Sequence, residues 1–142
     1  MAWFPDDMPR PQPTLDDAGF WARCAERSLC FQCCADCGLP RHPPTPLCAR
    51  CHSARQGWLE APAQAFVYSF TVVRHATHPA VADRLPYVVA VVEFAGLPQV
   101  RLVSNVTDVD PATVHIGMPL QLWWDKLEGE PPMVLPRFRP AP

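Results

Sequence analysis

Four cysteines carry the clearest chemistry in this chain: Cys34-Ala-Asp-Cys37 and Cys48-Ala-Arg-Cys51, two Cys-x-x-Cys pairs separated by ten residues. That spacing can supply four thiolates to one tetrahedral metal, most commonly zinc. Each pair spans a tight turn that aims both sulfurs inward, and Gly38 follows the first pair where a turn tolerates positive φ. Pro43, Pro44 and Pro46 stiffen the connecting loop. Four protein ligands leave no open coordination position, so the expected role is structural rather than catalytic.

Neighbouring groups offer alternatives for the site. Cys33 could compete through Cys33-x-x-x-Cys37, although the two-residue spacer suits the turn better. His42 or His52 could each replace one sulfur, which four spaced cysteines make unnecessary. Cys24 and Cys30 read as small buried residues. A disulfide framework is the competing reading of all seven cysteines. Met1–Pro13 lacks the basic start and apolar run of a secretory signal, so a reducing cytoplasm is the expected compartment.

Little else suggests catalysis by this chain alone. His75, His78 and His115 belong to no motif that joins them to Ser69 or Ser104 as base and nucleophile. Asp108 and Asp110 flank a polar turn, and no glycine-rich phosphate loop is present. Whether the chain is an enzyme in its own right is left open, with independent catalysis disfavoured.

The elements that would position these groups are mostly strands. With 49% apolar residues among 142, a core can form, while 19 prolines disfavour long helices. Residues 1–15 read as an extended arm, either disordered or offering Trp3 and Phe4 to a partner. Residues 16–28 form the expected helix, capped by Thr14, Asp16 or Asp17, with Phe20, Trp21, Cys24 and Leu29 on one side. That face either packs on its own protein or docks on another subunit. The metal module covers residues 29–60. From 61 to 142, five strands are expected: Phe66–Val73, Pro86–Phe94, Gln99–Val106, Leu120–Trp124 and an edge-like Met133–Arg139 containing prolines. Five short antiparallel strands suit a small Greek-key OB barrel. No apolar run is long enough to cross a membrane, and a formal charge of −2 argues against nucleic-acid backbone as the main partner.

The order of motifs resembles a known family. Phe20-Trp21, Phe31-Gln32-x-Cys34-x-x-Cys37-Gly38 and Pro43-Pro44-x-x-x-Cys48-x-x-Cys51 precede Tyr68-Ser69-Phe70-Thr71-Val72-Val73, Pro86-Tyr87-Val88-Val89, Ile116-Gly117-Met118 and Leu135-Pro136-Arg137-Phe138. This is similar to small proteins that pair a rubredoxin-like zinc ribbon with an OB fold and accompany thiolase-like acyl-CoA enzymes. The resemblance covers about Asp16–Pro140. It implies a non-catalytic accessory subunit of a thiolase-like aldolase or acyltransferase, in a hetero-oligomer, with retro-aldol cleavage of a steroid side-chain CoA thioester as one possible setting. Two departures stand out. Ala63 and Ala65 replace glycines before the first barrel strand, and Cys33 replaces a basic residue.

Under this resemblance, Arg74, Arg84 and Arg101, with His75 and His78, could form a cationic patch for the phosphates of CoA. Dispersed surface charge is the competing reading. Tyr68, Phe70, Tyr87 and Phe94 lie on strands as core residues, or as stacking platforms if the chain is instead a nucleic-acid-binding ribbon/OB module.

Overall fold

Alternating burial along one strand accounts for much of the architecture. Val88, Ala90, Val92 and Phe94 are buried, while Tyr87, Val89, Val91 and Glu93 between them are partly exposed. A strand with that pattern lies over a core on one face only. The structure is a computed structural model and describes residues 2–142. The described residues form one α-helix, α1 (Ala18–Ala25), two short 3-10 turns, and eight strands: β1 (Cys30–Cys34), β2 (Pro40–Arg41), β3 (Gln56–Glu60), β4 (Ala65–Val73), β5 (Tyr87–Phe94), β6 (Leu97–Val106), β7 (Pro119–Leu127) and β8 (Met133–Pro140). The first three strands make a small sheet in the order β2-β1-β3. The other five close a barrel in the order β4-β5-β6-β8-β7. The result is a mostly β protein: an N-terminal helix, a cysteine ribbon and an OB barrel.

Two expectations about the barrel are corrected. Not every pairing is antiparallel, because β6 meets β8 in parallel at Val106 and Phe138. Nor is β8 an edge, since it pairs along its whole length with β7 and closes on β6. Its prolines are tolerated because the seam with β6 is short and draws on β8 carbonyls, which proline keeps. The Ser104 hydroxyl donates to the Pro136 carbonyl at 2.7 Å, and the Thr107 amide donates to the Phe138 carbonyl at 2.8 Å. Strand β7 also runs past the expected Trp124 to Leu127, because Asp125 turns out to be a buried residue.

The helix is shorter than its periodicity suggests. Before it, the Thr14 amide donates to Asp17 Oδ1 at 2.6 Å, and the Asp17 amide donates to Thr14 Oγ1 at 3.3 Å. This reciprocal pair has the pattern of a capping box, with Thr14 as the cap and Asp17 three residues on, although the continuous helix begins only at Ala18. At the other end Arg27 takes φ 57°. The Ser28 and Arg27 amides then reach back to the Arg23 and Cys24 carbonyls, each at 2.9 Å. That is a Schellman termination with arginine in the usual glycine position.

Ribbon, helix and barrel share one core. Phe20, Cys24, Leu29 and Phe31 join Val67, Ala90, Phe94 and Phe138 in a single buried cluster. The rings of Phe31 and Phe94 meet edge to face at 5.1 Å. The arm folds onto its own barrel: Phe4 is buried, Trp3 and Phe4 pack on Tyr87, and Arg10 donates to the carbonyls of Pro131 and Glu128. Among the described residues no helix is long and apolar enough to cross a membrane.

Candidate metal centre

Each Cys-x-x-Cys pair forms a knuckle, and the two are built alike. The Gly38 amide donates to the Cys34 carbonyl, and the His52 amide donates to the Cys48 carbonyl, both at 2.9 Å. Gly38 has φ 78° and His52 has φ 63°, so a histidine holds the position that glycine holds in the first knuckle. Backbone amides also turn toward sulfur. Cys37 N lies 3.4 Å from Cys34 Sγ, and Arg50 N lies 3.4 Å from Cys48 Sγ. Asp36 fastens one knuckle to the other through Ser53 Oγ and the Arg55 guanidinium.

This geometry gathers the sulfurs of Cys34, Cys37, Cys48 and Cys51 within 4.8 Å of one another. The Cys34–Cys51 and Cys37–Cys48 separations are both 3.5 Å. A tetrahedral ion with bonds of about 2.3 Å needs sulfurs about 3.8 Å apart, so the donor set fits a metal such as zinc. Cys33 and His42 lie outside this cluster. The Cys33 sulfur occupies the space left by Gly57, where an added Cβ would sit 3.2 Å from it. The His42 ring packs between Phe20 and Phe31.

Four sulfurs this close cannot all hold charge without a cation. The Cys37 amide, helped by that of Asp36, lowers the Cys34 thiol to about 6. Amides of Cys51 and Arg50 lower Cys48 in the same way. The Ser53 amide favours the Cys51 thiolate, but hydrogen bonding with the other sulfurs and desolvation push Cys51 up to about 12. A divalent ion held by Cys34, Cys37, Cys48 and Cys51 would remove that competition by favouring the thiolate form of all four. Nearby, the Arg50 guanidinium donates to the Cys37 carbonyl at 3.0 Å. The cluster therefore has a cation beside it although position 33 is a cysteine rather than a basic residue.

The three arginines considered for phosphate contact are not brought to one place. Arg74 follows β4 and Arg84 precedes β5, beside the Val73–Tyr87 pair. Arg101 pairs across from Glu93, six residues further along β5, or about 20 Å at strand rise. Arg84 lies over the Trp3 ring and Arg101 over the Tyr68 ring. The other polar candidates bond to backbone. His78 Nδ1 accepts from the Ala80 amide at 3.1 Å, and His115 Nδ1 is 3.1 Å from the Thr113 carbonyl. Ala63 and Ala65 take no positive φ, so the backbone there needs no glycine.

Sequence reasoning missed a buried polar group on the barrel wall. Arg137 Nε donates to Asp125 Oδ2 and Nη1 to Asn105 Oδ1, both at 2.5 Å. Asp125 also accepts the Trp3 amide at 3.3 Å, tying down the arm. The only sequence signal is a carboxylate and a guanidinium within two mostly apolar strands. Their register, Asp125 opposite Leu135 and Trp123 opposite Arg137, places them diagonally.

Comparison with known proteins follows the same architecture. A family model described as "ChsH2, C-terminal OB-fold domain" matches residues 58–125. Over 134 residues the chain is 43% identical to a "Probable enoyl-CoA hydratase alpha subunit" of Thermomonospora curvata, covering 93% of this chain and 40% of that protein. It is 38% identical over 118 residues to the "3-oxo-4,17-pregnadiene-20-carboxyl-CoA hydratase alpha subunit" of Mycobacterium tuberculosis, covering 82% of this chain and 36% of the relative. The chain thus spans about two fifths of the length of these curated relatives. Among solved structures, a chain of the "Ltp2-ChsH2(DUF35) aldolase" superposes with a TM-score of 0.83 at 40% identity, covering 94% of this chain and 100% of that one. A DUF35 protein of unknown function from Sulfolobus solfataricus shares the fold at 16% identity, with a TM-score of 0.61 over 87% of this chain and 83% of its own.

Proposed function

This chain belongs to the DUF35 family, in its ChsH2-like branch of ribbon-plus-OB proteins, and from that premise we propose that it is a non-catalytic accessory subunit of a thiolase-like acyl-CoA aldolase or acyltransferase. The observation that carries this reading is the match along the whole of one chain of a two-component aldolase. The reaction we favour is retro-aldol cleavage of a steroid side-chain CoA thioester, since one relative is named for a pregnadiene-carboxyl-CoA substrate. The hydratase names belong to proteins more than twice this chain's length, so the hydratase activity is not transferred to it.

The chain's own chemistry suits a supporting role. Cys34, Cys37, Cys48 and Cys51 would hold zinc, which supplies a closed cross-link between two knuckles and leaves no position for substrate. The ribbon then fixes Phe31 and, through the shared core, the barrel. The catalytic groups would come from the thiolase-like partner. If CoA reaches this chain, Arg74 and Arg84 are the cations at one barrel end that would meet its phosphates, with Arg101 contacting a more distant part of the complex. The setting is the cytoplasm, where thiols stay reduced.

The test is an acyl-CoA cleavage assay with the thiolase-like subunit alone, this chain alone, and both together. Cleavage only by the pair supports the reading. Full activity of the partner by itself would remove the need for an accessory subunit. Turnover by this chain alone would make it an enzyme. Salt-sensitive binding of single-stranded DNA or RNA, with no effect on cleavage, would favour a nucleic-acid module instead.

A further inference from the structure

The arm does not lie flat on the barrel. It is pinned at two places. Trp3 and Phe4 pack on Tyr87 with the Trp3 amide on Asp125, and further along Arg10 donates to the carbonyls of Glu128 and Pro131. Between the pins the Met8 amide donates to the Pro5 carbonyl at 3.0 Å, closing a turn, and Pro5 and Pro9 stiffen the span. A chain held this way bridges the barrel wall instead of collapsing onto it. Beneath it remains a cavity of about 220 Å³, bounded by the arm and by residues of β6, β7 and β8.

Phe4, Met8, Leu127 and Leu135 give this cavity apolar walls, and Arg137 and Asn105 are the polar groups that the barrel contributes. Arg137 is the informative one. It is only 6% exposed, and its Nε and Nη1 are engaged by Asp125 and Asn105. Its Nη2 bonds to nothing among the described residues and yet is not sealed off, so its N–H groups open on the cavity. The rings of Trp3 and Phe4 lie over the guanidinium, their centroids 5.4 and 5.3 Å from its carbon, so it cannot swing out to water. A buried donor with no partner is costly, and a charged donor bonds best to a carboxylate. Asp125 offsets one positive charge, but Arg10 brings a second to the lining, whereas the lining carboxylates Asp6 and Glu128 are both exposed to solvent.

Size narrows the ligand further. An apolar cavity of about 150 Å³ admits benzene, so this one admits a short hydrocarbon tail behind a carboxylate. It falls below the roughly 300–1,000 Å³ of sites that take drug-sized molecules, which excludes a steroid nucleus and the nucleotide of CoA. We propose that the cavity between arm and barrel binds a small monocarboxylate, an aliphatic or aromatic acid of about five to eight carbons. Its carboxylate accepts from Nη2 of Arg137, and its tail lies among Phe4, Met8, Leu127 and Leu135. Because the arm forms one wall, the ligand holds the arm in its seat, and binding and arm docking are linked. The site is distinct from the four-cysteine cluster, and the proposal stands apart from the accessory-subunit reading.

The experiment titrates the full metal-loaded chain with hexanoate, and with hexanol as the uncharged probe, by calorimetry, while NMR follows exchange of the Trp3 amide. Two variants are compared after a check of metal content and melting temperature. Met8→Trp fills the cavity from the arm, and Asn105→Asp adds a negative charge to the lining at nearly constant shape. Should Met8→Trp unseat the arm, Asn105→Asp keeps the test. The expected result is saturable binding of hexanoate with a Kd of roughly 1 mM or tighter, the range open to so small a ligand. Hexanol should bind about tenfold more weakly or worse, the difference a charge-assisted hydrogen bond makes. Hexanoate should also slow exchange of the Trp3 amide, and each folded variant should weaken its binding about tenfold. No saturable binding of hexanoate by wild-type protein would overturn the proposal and leave the cavity to water. Equal affinity for hexanol would overturn the carboxylate, and undiminished binding in both variants would place the ligand elsewhere.

Discussion

Single residues show how finely the ribbon is balanced. The Cys34 and Cys48 thiols are lowered by backbone amides while Cys51 is pushed up, so binding a metal would have to displace a proton from Cys51. Replacing Cys37 with serine should lower bound metal to well under one ion per chain and unfold the ribbon at a lower temperature, read by metal analysis and calorimetry. Retention of one tightly held ion would contradict a four-cysteine site. His42 carries a second prediction. Burial between Phe20 and Phe31 lowers it to about 4, with the Asp17 charge pulling weakly the other way. The unfolded chain takes up this proton below about pH 6.5 while the folded chain refuses it until about pH 4. Stability is therefore complete above that window and falls through it, by about 2 kcal/mol at pH 5. Comparing wild type with His42→Leu at pH 7.5 and pH 5 separates this loss from acid release of the metal. Equal acid sensitivity in both proteins would contradict it.

At the scale of elements, close contacts explain positions that periodicity leaves ambiguous. Gly19 lies where helix α1 meets β3, and an added Cβ would fall 2.6 Å from the Trp58 ring, whose face also carries Arg23 at 4.1 Å. Helix propensity alone would make Gly19→Ala stabilising by about 1 kcal/mol. Overpacking against the ring should reverse that sign, to a net loss of about 1–2 kcal/mol in denaturant unfolding. A more stable variant would show that Trp58 moves aside freely. Asp125 makes a stronger case. Asp125→Ala should cost about 3–5 kcal/mol by leaving Arg137 buried and unpaired, and it should also free the arm that Trp3 anchors. Much of this architecture could be read from residues 66–106, because alternation and β-branching there report burial directly. The clustering of the four cysteines was equally legible, since their spacing sets it. Lost to the sequence were the parts set by pairing: the parallel β6–β8 seam, the extension of β7 through Asp125, and the early end of the helix at a left-handed Arg27. The arginines shared a charge, but only strand register revealed that Arg101 stands apart from Arg74 and Arg84.

For the molecule as a whole, one core links helix, ribbon and barrel, so loss of the metal should weaken the barrel as well as the knuckles. The arm completes the barrel wall by covering Asp125 and Arg137, and one outer face is left open beside it. Asp125 and Arg137 are buried in the barrel wall, while Tyr68, Val103 and Ile116 stay exposed on its outside. The measurement that tests the account most directly is native mass spectrometry of this chain co-expressed with a thiolase-like acyl-CoA subunit. The account predicts a defined hetero-oligomer carrying one zinc per copy of this chain. Metal-loaded chain that remains apart from the partner at micromolar concentrations would contradict it.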